Sequence, residues 1–181
     1  MIGVVSTGLS LPAIKDRFIE ILLAPINYKE MLWIAIPLVL TLFLTELYFS
    51  RYKLEELGWN SAYGNALVLI FVAVDIFRYL YNHNLLENMS IKLAIALTVS
   101  ALGIVLTMLN FFHILPENLA YGLSSKLPMN FIAYIALILI YSKIPVDSTT
   151  LIASLGLLVT MSAVIILLRS LIPASLEEVD Y

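Results

Sequence analysis

Apolar residues run along this chain in five blocks of membrane-crossing length, divided by short polar clusters. The first is MLWIAIPLVLTLFLTELYF at 31–49, and 61–81, 91–112, 129–144 and 149–168 follow. About 20 apolar residues make a helix that crosses a hydrocarbon core of about 30 Å. The pattern predicts an all-α, polytopic integral membrane protein with about five transmembrane helices. The block at 129–144 is the shortest, about 24 Å as helix at 1.5 Å per residue, and Lys126 and Lys143 are expected to snorkel from its two ends.

Ahead of the first block, Ser10-Leu11-Pro12 reads as a helix start, a capping hydroxyl followed by proline in the first turn. Ile14, Phe18, Ile21 and Leu22 recur at helical spacing, with Lys15, Asp16, Arg17 and Glu20 mostly on the other side. Pro25 is expected to stop this helix. Residues 1–30 are thus predicted to form a lead-in built on a short amphipathic helix in the headgroup plane. The alternative is an ordered leader packed on the rest of the protein. Residues 31–170 form a single transmembrane domain and 171–181 an acidic tail.

The connections are short. SRYKLEELGWN (50–60) is dense in charge and reads as a solvated turn of helix ended by Gly58, with Trp59 as an interfacial anchor. NHNLLEN (82–88) is a loop, and Asn88-Met89-Ser90 fits a glycosylation sequon, a weak signal by itself. In LPENLAYGLSSKLP (115–128) one or two interfacial turns are expected, with Leu119 and Leu123 toward lipid and Glu117 and Lys126 on the water side.

Composition agrees with the bilayer as solvent: 61% of the 181 residues are hydrophobic and 13% charged, against about 45–50% and about 25% in soluble domains. The net charge is −3 and the basic residues stand singly, so no nucleic-acid partner is expected. The absence of cysteine excludes disulfides and thiol chemistry. His83 and His113 are isolated, and no metal or cofactor is expected. MIGVVSTGLS lacks the charged start of a signal peptide, so the first span is expected to act as its own signal. With five spans and the N-terminus inside, Lys15, Arg17, Lys29, Arg78, Lys92 and Lys143 fall on inner segments and Arg51, Lys53, Lys126 and Arg169 on outer ones. That imbalance leans the N-terminus toward the cytoplasm, in a protein expected at the plasma membrane.

Charge inside the spans changes the picture most. Asp75 and Arg78 lie three apart on one helix face and can pair. An unpaired carboxylate at Asp75 would cost at least a few kcal/mol. Matching the midpoints of the first two spans brings Arg78 level with Trp33, whose carbonyl Pro37 frees. It also brings Glu46, read as an interface residue and the weaker intramembrane acid, level with Asn65. Arg78 is therefore expected to be completed by the Trp33 carbonyl or ring. Ala96, Ser100 and Gly103, and separately Gly156 and Thr160, set small groups on adjacent turns, which suits close helix packing.

The chain holds no HExxH, no GxSxG, no paired catalytic aspartates on two spans and no Gly-rich phosphate loop. It is therefore expected to be a non-catalytic membrane subunit that assembles with itself or with other membrane proteins. The alternative is a small oligomeric ion or proton channel or transporter that uses Asp75.

Overall fold

The computed structural model describes residues 10–52, 58–87 and 90–173. Within these residues the fold is all-helical: α1 (Leu11–Asn27), a 3₁₀ turn (Lys29–Met31), α2 (Leu32–Arg51), α3 (Trp59–Asn82), α4 (Ile91–Phe111), α5 (Glu117–Leu123), α6 (Lys126–Tyr141) and α7 (Ser148–Leu171). Five segments are long and apolar enough to cross a membrane: 29–51, 59–82, 91–111, 117–141 and 148–171. The chain is a multi-pass helical membrane protein.

Local chemistry sets the helix ends. The Ser10 side chain accepts from the Ala13 amide, Ser90 from Leu93 and Asp147 from Thr150, each satisfying an amide the helix cannot. At the other ends Asn84 (φ 53°) and His113 (φ 52°) take left-handed conformations. The Leu85 and Ile114 amides then reach back to the Leu80 and Leu109 carbonyls, the paired closure that ends many helices.

Two expectations about α1 are corrected. Pro25 does not stop it: the helix continues to Asn27, and the Tyr28 amide closes the last turn on the Ala24 carbonyl at 2.9 Å. A proline this near a C-terminus removes one bond, to the Ile21 carbonyl, and leaves the following turn intact. Nor does α1 rest on the bundle surface alone. It packs along α7 and touches α2 and α6, and Ile21 and Ala24 are fully buried. This is the packed leader that the sequence left as the alternative.

The fourth span is also reread. It begins at Lys126, with α5 directly before it, so the two helices together cover 117–141. Within α5, Leu119 and Leu123 face outward and Ala120 is buried. α6 is the centre of the bundle, in contact with α1, α2, α3, α4 and α7. α3 and α4 form the closest pair, whereas α2 and α3, consecutive in sequence, barely touch and face each other largely across α6.

The charged connection around Lys53, Glu55 and Glu56, residues Asn88 and Met89 of the sequon, and the acidic tail from residue 174 lie outside the described residues. α3 already starts at Trp59, inside the expected 50–60 connection, and its ring stacks on His113 at 4.0 Å and meets Tyr121 edge-on at 5.5 Å.

Candidate functional site

Polar side chains gather at both ends of α6. At its N-terminal end, Glu46 from α2 is buried against the protein, 2% exposed. One carboxylate oxygen accepts from Arg169 of α7 at 2.9 Å (Nε) and 2.8 Å (Nη2). The other lies 3.4 Å from the Lys126 ammonium, which also sits 4.1 Å over the Phe49 ring. Lys126 therefore turns inward, whereas its charge predicts the water side. Three spans meet at one carboxylate, so its desolvation is offset by two cations in a place where ionic attraction is strong.

Asn65, expected level with Glu46, bonds elsewhere. Its Nδ2 donates to the Ser124 carbonyl at 2.9 Å. Asn110 of α4 donates to the Ser124 hydroxyl at 2.8 Å and the Ala62 carbonyl at 3.2 Å. Ser124 occupies the joint between α5 and α6, so asparagines from α3 and α4 fix the point where the fourth span bends. A small recess of about 50 Å³ lies here, lined in part by Ser61, Asn65, Ser125 and Lys126.

At the other end of α6, Asp75 and Arg78 pair as their spacing predicts: Arg78 reaches Asp75 Oδ1 from Nε at 3.0 Å and from Nη2 at 2.7 Å. The second oxygen, Oδ2, accepts from the Tyr141 hydroxyl at 2.7 Å. Tyr141 takes the place expected of Trp33. Trp33 lies on the outer face of α2, 82% exposed, and the reason is topological: depth matching assumed that consecutive spans are neighbours, and α6 stands between these two. Pro37 is accommodated inside α2, beside the same outer face. Tyr141 in turn packs on Tyr79 (4.0 Å), and Tyr79 on His83 (4.1 Å). The Lys92 ammonium donates to the Ile140 and Ser142 carbonyls, covering the open C-terminus of α6.

Outside the spans, Asp147 caps α7. Its Oδ1 accepts from the Thr150 amide at 2.7 Å and its Oδ2 lies 3.7 Å from Arg17 of α1. The Thr150 hydrogen bonds, with help from Arg17, hold this carboxyl below the usual carboxylate range.

The small residues divide. Ala96 and Gly103 are buried, and Ser100 between them bonds its own helix at the Ala96 carbonyl. A Cβ on Gly103 would meet Leu69 Cβ at 3.0 Å and the Ile70 backbone nitrogen at 3.2 Å, so glycine sets the α3–α4 distance. Gly156 is looser, with the Phe18 ring of α1 at 3.7 Å from such a Cβ. Thr160 is exposed and its hydroxyl returns to the Gly156 carbonyl.

Sequence reasoning missed Tyr141, Lys126 and Arg169 as partners of the two acids. One signal was present: Lys126, Asn130 and Tyr134 recur every four residues, a polar stripe on a span that all three bury. No family model, no curated protein and no solved structure matches the chain.

Proposed function

We propose that this chain is a non-catalytic integral membrane subunit, which assembles through its transmembrane helices with itself or within a larger membrane complex. One observation carries the reading: both intramembrane acids are satisfied inside the chain, Glu46 by Arg169 and Lys126, and Asp75 by Arg78 and Tyr141. Each cluster joins elements remote in sequence, which is the work of a register lock between helices. Ionisable groups used this way set a rigid outer surface, and that surface, on α2, α4 and α7, is rich in large apolar side chains. The membrane is the plasma membrane, with the N-terminus cytoplasmic.

The test is purification of the full chain in mild detergent. Recovery of stoichiometric partner chains, or of a homo-oligomer, supports the reading; a monodisperse monomer at membrane-like concentration counts against it. Because the chain has no cysteine, single cysteines placed at Ser10 and His83 report orientation through an impermeant thiol reagent.

A second reading has its own support. Asp75 bonds Tyr141, and Tyr141 lines an open cavity of about 330 Å³ with Tyr28, Glu30 and Tyr79. This arrangement suits an ion or proton path that begins at Asp75. Asp75→Asn would abolish a proton- or cation-dependent flux in proteoliposomes on that reading, with assembly unchanged.

A further inference from the structure

We propose that α2 carries a site for one anionic glycerophospholipid, drawn from the bilayer leaflet on the Lys29 side. Three recesses follow one another along this helix. The first, about 460 Å³, opens beside Lys29 and is walled by Leu32, Trp33, Ile36 and Pro37. The second, about 330 Å³, takes over at Ile36 and runs past Leu40 to Phe43. The third, about 190 Å³, shares Val39, Phe43 and Tyr134 with the second and lies between α1, α2, α6 and α7. Lys29, in the turn that opens α2, Ile36 and Phe43 are spaced by about two helical turns. The recesses therefore form one track along one side of the helix.

The inner end of the track differs from an ordinary lipid-facing groove. Leu38, Leu42, Tyr134 and Leu157 wall it, each at most 8% exposed. The wall is almost wholly apolar. Asn130, its amide member, spends Nδ2 on the Lys126 carbonyl at 2.8 Å, and its Oδ1 is itself buried. Packed interiors leave few voids of this size, and apolar chambers of about 150 Å³ stay free of water and take up hydrocarbon guests. In a membrane the guest at hand is an acyl chain. Once bound, it fills the gap between Leu22 of α1 and Leu42 of α2, elements that otherwise touch at few points.

Length and charge identify the rest of the occupant. From Lys29 to Phe43 the track covers about 21 Å of helix at 1.5 Å per residue. Half a bilayer, headgroups included, is about 20–22 Å thick, so one lipid fits from head to chain end. Lys29 is the one charged residue on the wall of the mouth, and it makes no ion pair among the described residues. Its neighbour Glu30 turns instead to His83, at 3.6 Å. Trp33, 82% exposed, stands beside Lys29, and such a ring marks the headgroup level. A phosphate is held here by its charge, whereas a zwitterionic head would bring its own ammonium toward the same lysine.

The probe is a phosphatidylglycerol with a diazirine at the end of one acyl chain, photolysed with the purified full chain in phosphatidylcholine nanodiscs. Mass spectrometry should place adducts on Leu42, Tyr134 and Leu157, which lipid on the outer surface does not reach. The same probe built on phosphatidylcholine is expected to label these residues about fivefold less, the worth of one lysine at a membrane surface. Lys29→Gln should erase the difference between the two probes. Val39→Trp fills the chamber and should abolish adducts at the three buried residues, with labelling of the outer faces unchanged. Should that variant fail to fold, Lys29→Gln, a change at an exposed side chain, still decides. Adducts confined to outer side chains such as Leu40 and Leu44, or equal labelling of the parent by both probes, would overturn the assignment. So would a Lys29→Gln protein that keeps the difference, or a folded Val39→Trp protein that labels like the parent.

Discussion

Glu46 on α2 holds Arg169 on α7 across 123 residues of chain, with both guanidinium contacts, 2.9 and 2.8 Å, on one carboxylate oxygen. Removing one partner of a buried pair leaves the other charged without compensation, at about 3–5 kcal/mol. Glu46→Gln removes the charge that Arg169 and Lys126 share and is expected to lower the melting temperature by roughly 6–20 °C in a chain of this size. Arg169→Leu should cost less, because its side chain is 41% exposed and the Lys126 contact survives. Thermal unfolding of both variants in one detergent decides this: equal melting temperatures would mean that the carboxylate does not hold the spans.

The Asp75–Tyr141 bond predicts a smaller, separable effect. Tyr141→Phe keeps the ring packed on Tyr79 and deletes one hydrogen bond, worth about 1 kcal/mol. Asp75→Asn removes the charge from both Arg78 and Tyr141. In a double-mutant cycle the two changes should be non-additive by about 0.5 kcal/mol or more. Additive losses would show that the hydroxyl and the carboxylate do not act as a unit.

Gly103 and Gly156 should respond in opposite directions. Gly103→Leu forces α3 and α4 apart at the Ile70 backbone and is expected to destabilise by about 1–3 kcal/mol. Gly156→Ala meets only the Phe18 ring at ordinary contact distance, and alanine is the better helix former by about 1 kcal/mol. That variant should melt at or above the parent temperature. The comparison fails if Gly103→Leu is tolerated as well as Gly156→Ala.

Asp147 supplies a pH dependence of definite sign. Its carboxyl is held below the usual range by the Thr150 amide and hydroxyl and by Arg17, so folding favours the charged form. The stability it adds is complete above the unfolded value of about 3.9 and is lost as pH falls through the lower folded value. Asp147→Ala is expected to cost about 1 kcal/mol at neutral pH, and the gap to the parent should narrow in acid below about pH 3, as the charged share of the cap is lost. Asp147→Asn retains an acceptor for the Thr150 amide and should keep most of the cap. A deficit that persists unchanged to pH 2.5 would assign the effect to something other than the charged cap.

The features legible in the sequence were those set within one helix. Five apolar runs announced the spans, the i, i+3 spacing announced the Asp75–Arg78 pair, and Gly103 announced a close crossing. What the sequence hid was the choice of neighbours. Depth can be counted along a span, and that count sets Glu46 and Asn65 level. Lateral order cannot be counted that way, so Arg78 was given to Trp33 when α6 occupies the space between. Pro25 misled for a different reason: its local penalty is real, and the packing of Ile21 and Ala24 outweighs it. The stripe of Lys126, Asn130 and Tyr134 was readable in principle, because three polar residues on one face of a span argue for a face turned away from lipid.

The central place of α6 also bears on the order in which the protein can be made. α3 and α4 pack closely enough to settle as a hairpin once both are in the bilayer. α2 precedes α6 and α7 in the chain, yet it has little to hold until α6 brings Lys126 and α7 brings Arg169. It is therefore secured only after both have entered, and until then Glu46 must wait in the membrane without its two cations.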